Sequence, residues 1–225
     1  MRDDDGNAAL SRRGSAILVI ALVVFILGFF AAVVGLRPAS HWTVVGVTER
    51  MGLEGLGVDP EVGELIPGGL VGATEKSTVD IALGTRLHLA LASNTRVDLG
   101  RPPGRWFRRT AAIHLVKGTV RLAVGEGGAG RQPVLLTAGG VTARADRSAF
   151  SASIGDSEAC FSVGDGAVSV RAASSPGAAS GSAEAPVPRG TRACYDRSGR
   201  PISTGSIDSA ESDTLASFAA DKLVQ

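Results

Sequence analysis

Two hydrophobic patterns divide the chain. From Ala16 to Leu36 every residue is apolar or glycine, AILVIALVVFILGFFAAVVGL, with no charge and no polar stripe. A helix of these 21 residues, rising about 1.5 Å per residue, reaches across a hydrocarbon core of roughly 30 Å. The run is longer than the 7–15 residues of a secretory h-region, and no A-x-A site follows it, so an uncleaved transmembrane helix is expected over 16–36. Beyond it the pattern changes to period 2. Val79, Ile81 and Leu83 alternate with Thr78, Asp80 and Ala82. Leu87, Leu89 and Leu91 alternate with Arg86, His88 and Ala90. Such alternation puts each apolar set on one face of a sheet.

The series continues through Val97 and Leu99, Ile113 and Leu115, and Val120, Leu122 and Val124. Lys117-Gly118 between the last two sets reads as the turn of a hairpin. Short apolar runs follow at 134–137, 141–145, 150–154, 159–163 and 167–171, punctuated by Gly139-Gly140, Gly155-Asp156 and Asp165-Gly166. A first strand is expected near Thr43–Thr48 and a last one over Val187–Tyr195. Residues 52–72, rich in Gly and Pro, read as loop with short extended pieces. No ten-residue helix fits between these strands, which excludes βαβ units. The expected fold is an all-β exported domain, a rolled sheet or sandwich of many short strands, with one N-terminal transmembrane helix and a short C-terminal helix.

The expected organisation is a cytoplasmic tail at 1–15, the membrane helix at 16–36, a membrane-proximal segment at 37–61 with Trp42 as an interfacial aromatic, and a β domain at 62–206. Within that domain 172–186, AASSPGAASGSAEAP, lacks the apolar content to order itself and reads as a disordered insertion. In the closing segment, 207–225, Asp208 and Glu211 resemble a capping box, and Leu215, Phe218 and Leu223 form a narrow apolar stripe. That stripe serves either to dock the helix on the sheet or to contact a partner.

Charge sets the orientation. Arg12 and Arg13 lie just before the apolar run and Arg37 just after it, so the Lys/Arg bias favours a cytoplasmic N-terminus and an extracytoplasmic, periplasmic body. The whole chain carries 23 Lys+Arg against 22 Asp+Glu, which gives no global argument for nucleic acid. In an oxidising compartment the two cysteines, Cys160 and Cys194, are expected to form a disulfide. One stretch stands out from the neutral background: Arg101, Arg105, Trp106, Phe107, Arg108 and Arg109, with Pro102-Pro103 keeping it out of a central strand. Arginines with aromatics make it the candidate surface for an acidic protein or lipid headgroups, with Lys117 and Arg121 as a possible extension.

Catalytic and cofactor chemistry find little support. Gly125 to Gly130 matches G-x-G-x-x-G, but a dinucleotide site needs a helix next, and Pro133 with another strand follows; a hairpin loop is expected instead. His41, His88 and His114 lack metal-ligand spacing, and no serine sits in a G-x-S-x-G elbow. No catalytic residue, metal or cofactor is assigned, and an enzyme is not expected.

Several stretches together resemble the FecR domain, the extracytoplasmic module of membrane-anchored regulators, over roughly Val62 to Arg200. VGELIPGGLVGATEKSTVDIALGTRLHLALASNTRVDL is similar to that family's opening, AIHLVKGTVRLAV to its central hairpin, FSVGDGAVSVRA to a late strand–Gly–strand unit, and VPRGTRACYD to its closing strand. Where the family commonly has Gly-Thr-x-Phe, this chain has Arg147-Ser148-Ala149-Phe150. The residues before the apolar run are too few to fold as the family's cytoplasmic anti-sigma domain. The resemblance implies a membrane-anchored body that senses or binds an envelope protein. A structural bridge in envelope assembly or lipid export, and an unrecognised hydrolase, are the alternative readings.

Overall fold

The computed structural model describes residues 20–31, 41–48, 53–54, 62–103, 110–125, 133–172 and 184–223. Residues 20–31 form a helix, α1, whose side chains from Ile20 to Phe30 are exposed. Its described length is about 18 Å at 1.5 Å per residue. No helix among the described residues is long and apolar enough to cross a membrane. The expected span 16–36 extends at both ends outside the described residues. α1 and the β body are separate compact units.

The body begins with β1 (Trp42–Val47), β2 (Leu53–Glu54), β3 (Leu65–Ile66) and β4 (Gly69–Ala73). β5 (Val79–Leu83), β6 (Leu87–Leu91) and β7 (Arg96–Leu99) lead to the long β8 (Ala111–Val124). After it come β9 (Val134–Ala138), β10 (Val141–Ala145), β11 (Ser148–Ile154), β12 (Glu158–Asp165) and β13 (Ala167–Ala172). β14 (Ala185–Pro188), β15 (Thr191–Asp196), β16 (Pro201–Ser206) and the helix α2 (Ser209–Leu223) complete it.

These strands form one open sheet in two halves that share β8. One half runs β3-β1-β5-β6-β8-β11-β12-β15-β16, the other β2-β4-β7-β8-β9-β10-β13-β14. Every pair is antiparallel except β8 with β9. Both halves bury their apolar faces in one contiguous core, which includes Ile81, Leu89, Leu122, Phe150 and Phe161 from one half and Val97, Ile113, Leu136, Ala143 and Val170 from the other.

β8 explains the largest departure from expectation. The anticipated hairpin at Lys117-Gly118 is a single continuous strand. The β8 residues in the core are 111, 113 and 115, then 120, 122 and 124, so the inward set slips by one residue midway. The slip is a β-bulge: Arg96 faces Lys117 but Val97 faces Leu115. Gly118 sits at φ +87°, and a Cβ there would come within 2.7 Å of the Thr95 Cα. Buried Thr95 closes the gap in the ladder. Its hydroxyl donates to the Thr119 carbonyl at 2.9 Å and accepts from the Thr119 N–H at 3.0 Å. Bent this way, β8 gives its first half to β7 and β9 and its second to β6 and β11. The β8–β9 connection is therefore a return to the start of β8, not a hairpin loop.

Other boundaries also move. Trp42 is not an interfacial aromatic: it is fully buried, opposite Ile66 and Leu83, because β1 is an interior strand paired with β3 and β5. The β domain thus begins before residue 62. Ala172, Ala185 and Pro186 lie in paired strands, which narrows the expected insertion; 173–183 lie outside the described residues. Val187–Tyr195 is two strands, one in each half, separated by a turn at Arg189-Gly190. β16 was not anticipated, because its six positions are all exposed and carry no alternation.

Candidate functional site

The arginine-rich stretch leaves the body where β7 ends and returns where β8 begins. Its stem is tied down at Gly100. The Trp42 indole N–H donates to the Gly100 carbonyl at 2.8 Å, and the Gly100 N–H donates to the Ala112 carbonyl at 2.8 Å. Arg101 follows, exposed. Arg105, Trp106, Phe107, Arg108 and Arg109 lie outside the described residues. The hairpin on which the suggested extension to Lys117 and Arg121 rested is instead one continuous strand. With no turn at 117–118, Arg121 is ten residues along the strand from Ala111, roughly 30 Å of chain. Lys117 instead donates to Asn94 Oδ1 at 2.7 Å.

α2 docks on the outer face of β8, β11 and β12. The Asp208 carbonyl accepts the Ser212 N–H at 2.9 Å, and its carboxylate accepts weakly from the Ala210 N–H at 3.4 Å, as an N-cap should. Glu211 does not complete a capping box. It reaches the sheet, where its carboxylate accepts the Ser151 hydroxyl at 2.9 Å. Leu215 is fully buried, and a Cβ at Gly164 of β12 would overlap it, so the glycine makes the close approach possible. Phe218 is half-buried; the side chain of Leu223 lies outside the described residues. Leu215 is thereby occupied within its own chain, and of the two readings of the stripe the docked helix is the one observed.

The far end of α2 meets charge. Lys222 Nζ lies 3.1 Å from Asp80 Oδ2 on β5, beside a recess of about 340 Å³ that includes Arg121 and Phe218. His88 on β6 faces this region. Burial, and then the Lys222 ammonium, push its imidazole below the usual 6.5, against a smaller upward pull from Asp80. The unfolded chain therefore binds the extra proton between the folded value and 6.5. Stability should be complete above about pH 6.5 and fall as the pH drops through that window. In His88→Asn this segment of the stability–pH curve should flatten, with Asp80, Arg121 and Lys222 unchanged. Denaturant midpoints measured from pH 7.5 to 5 check it; a wild-type curve parallel to the variant's would refute it.

Cys160 and Cys194 are directly opposite on β12 and β15 and are joined in a disulfide. Both are buried, 4% and 6% exposed. The Glu158 carboxylate lies close by, but with the sulfurs bonded to each other no thiolate is left to share a metal with it. His114 is exposed on the other half of the sheet, so the histidines do not converge.

Residues 71–169 match the family model described as FecR protein. No curated protein matches the chain in sequence. Among solved structures it is similar to a candidate anti-sigma factor from Parabacteroides distasonis, in a crystal structure at 2.50 Å resolution. The identity is 12%, over 69% of this chain and 74% of that one, with a TM-score of 0.51. A crystal structure at 1.65 Å resolution, also of a candidate anti-sigma factor from that organism, aligns at 11% identity over the same shares, with a TM-score of 0.49. The bent β8 and the strands from β5 to β12 lie within the matched segment 71–169. Over residues 71–169 this chain is thus similar to the FecR family.

Proposed function

We propose that this chain is a single-pass membrane protein whose FecR-family body lies outside the cytoplasm and acts in envelope signalling, by sensing or by binding a protein partner rather than by catalysis. The family match over 71–169 carries the signalling reading. The anchor is supported by α1, in which large side chains such as Phe25, at 71% exposure, and Phe30, at 67%, are presented to the surroundings. A continuous apolar surface of that kind calls for a membrane or a protein to cover it. The Cys160–Cys194 bridge supports an oxidising compartment for the body. A reporter fused after Gln225 should be active only outside the cytoplasm; activity only inside would overturn the orientation.

The Arg101–Arg109 stretch is the proposed partner contact, because it joins arginines and aromatics, residue types enriched at binding hot spots, on a stem anchored to the core. In-cell crosslinking of the intact protein, followed by mass spectrometry, tests the function. A variant with Arg105, Arg108 and Arg109 replaced by Ser and Trp106 by Ala should retain its thermal midpoint and lose most of the crosslinked partner. The remaining binding should show a weaker dependence on salt. Undiminished partner yield from the folded variant would refute the assignment.

A further inference from the structure

Among the described residues each half-sheet ends in two edge strands. An unpaired edge offers a row of backbone N–H and C=O groups to any strand that meets it. Three of the four edges are blunted. β2 and β3 have two residues each. β14 carries Pro186 and Pro188, which have no N–H to give. β16 is different. It runs for six residues, Pro201–Ser206, with its proline only at the first position and no charged residue along its length. All six residues are exposed.

The groups that point off this edge follow from the pairing. The Ile207 N–H donates inward to the Gly190 carbonyl at 3.0 Å, in register with the β15–β16 ladder. Alternation then turns the N–H and C=O of Thr204 and Ser206 away from β15, toward the open side. Charges of opposite sign bracket the strand: Arg200 just before it and Asp208 just after Ile207, both exposed. The Asp208 carboxylate meets the Ser209 hydroxyl and the Ala210 N–H through Oδ1, both at 3.4 Å. Arg200 has Asp196 in its field, but that carboxylate already accepts from Ser198 and from the Arg200 N–H. Beside the strand lies a recess of about 330 Å³, whose wall includes Val187, Ala193, Tyr195 and Thr204.

We propose that β16 is the interface through which two copies of this chain pair, edge to edge and antiparallel, so that the half-sheet of one copy continues into the other. The strand is complementary to itself. A twofold axis through Thr204 sets Thr204 opposite Thr204 of the second copy, and these outward residues exchange N–H···O=C bonds. Arg200 and Asp208 stand four residues to either side of that centre. Each Arg200 therefore meets Asp208 of the second copy, twice by symmetry. Ile202, 54% exposed, comes beside Ser206 of the second copy and loses water contact there. A strand from an unrelated protein has no such match to both ends of β16. The pairing does not depend on the partner contact proposed for residues 101–109.

The test uses the full chain in nonionic detergent micelles, with the dimer fraction read by sedimentation over a range of concentrations. Arg200→Asp and Asp208→Arg should each raise the dimer dissociation constant about tenfold or more, and the two combined should restore it. Within one chain these residues are separated by the length of β16, roughly 25 Å, so restoration requires a contact between copies. Asp208 also caps α2. Asp208→Asn keeps a capping side chain, removes the charge and should weaken pairing in the same direction. Thr204→Pro deletes an outward N–H and should abolish the dimer while the circular dichroism spectrum stays that of wild type. Thr204→Cys should give a disulfide-linked dimer on mild oxidation, and Ser217→Cys, exposed on α2, should not. A chain that stays monomeric, a dimer that survives Thr204→Pro, or a combined charge variant no better than the single ones would overturn the proposal. Survival of the dimer in Thr204→Pro would assign self-association to another surface, and a monomer whose edge takes up a foreign β-strand peptide would assign β16 to a different protein.

Discussion

Replacing Trp42 with Ala should destabilise the body by about 3–5 kcal/mol, the usual cost of deleting a large buried aromatic side chain. The side chain has no exposed surface, so the whole ring leaves a hole or forces collapse. It lies opposite Ile66 and Leu83, where β3 and β5 flank β1. Trp42→Phe separates the contributions. It keeps most of the apolar contact but leaves the Gly100 carbonyl without its 2.8 Å donor, which adds a cost of about 1–3 kcal/mol if that oxygen stays dry. Denaturant midpoints with an unchanged slope are the measurement. A loss below about 1 kcal/mol for Trp42→Ala would mean that β1 is not part of the cooperative body. Trp106 is the second tryptophan of the chain, so a Trp106→Phe variant isolates the Trp42 signal. Its emission should be blue-shifted and shielded from aqueous quenchers, and should move to the exposed value on unfolding.

Trp42 also shows what the linear pattern conveys and what it does not. A single Trp six residues beyond an apolar run has the spacing of an interfacial anchor, and nothing local distinguishes that from a core position. The decision is made by β3 and β5, which lie 23 and 37 or more residues away in sequence and cover it from both sides. Period-2 alternation located nearly every interior strand, because a half-buried sheet requires it. The same rule missed β16, which buries neither face. At β8 it registered the slip between Leu115 and Val120 but could not say whether the chain reverses or bulges there. That depends on Thr95, whose hydroxyl replaces the ladder bonds that Gly118 interrupts.

The site residues divide in the same way. Cys160 and Cys194 could be paired from composition and compartment alone, since only two cysteines exist. Phe161 and Val163 are fully buried, and Cys160, between Ala159 and Phe161, and its partner Cys194 are themselves only 4% and 6% exposed. Arg147 stands where the resemblance expects Gly, and its φ of +51° supplies the physical reason for a glycine at that position.

Removing the disulfide should lower the stability of the body by roughly 3–4 kcal/mol. The bond closes a loop of 33 residues, one fewer than the sequence separation of 34, and the estimate is the entropy which that closure removes from the unfolded chain. The loop leaves β12 in one half-sheet, forms β13 and β14 in the other, and returns through the Arg189-Gly190 turn to β15. Cys160→Ala/Cys194→Ala tests the bond without leaving a free thiol. Wild type kept fully reduced should unfold at nearly the same denaturant midpoint as this double variant. Free-thiol labelling of the unreduced, denatured wild type should find none; two labelled cysteines would rule the bond out. The loop length supplies a further check. Deleting 173–183 shortens the closed loop from 33 to 22 residues, which changes the closure entropy by only about 0.4 kcal/mol. In a cycle combining that deletion with the double cysteine variant, the disulfide's contribution should therefore stay almost constant. If instead the contribution drops by more than about 1 kcal/mol, the deleted residues take part in the folded structure that the bond holds, and chain entropy is not the main source of its effect.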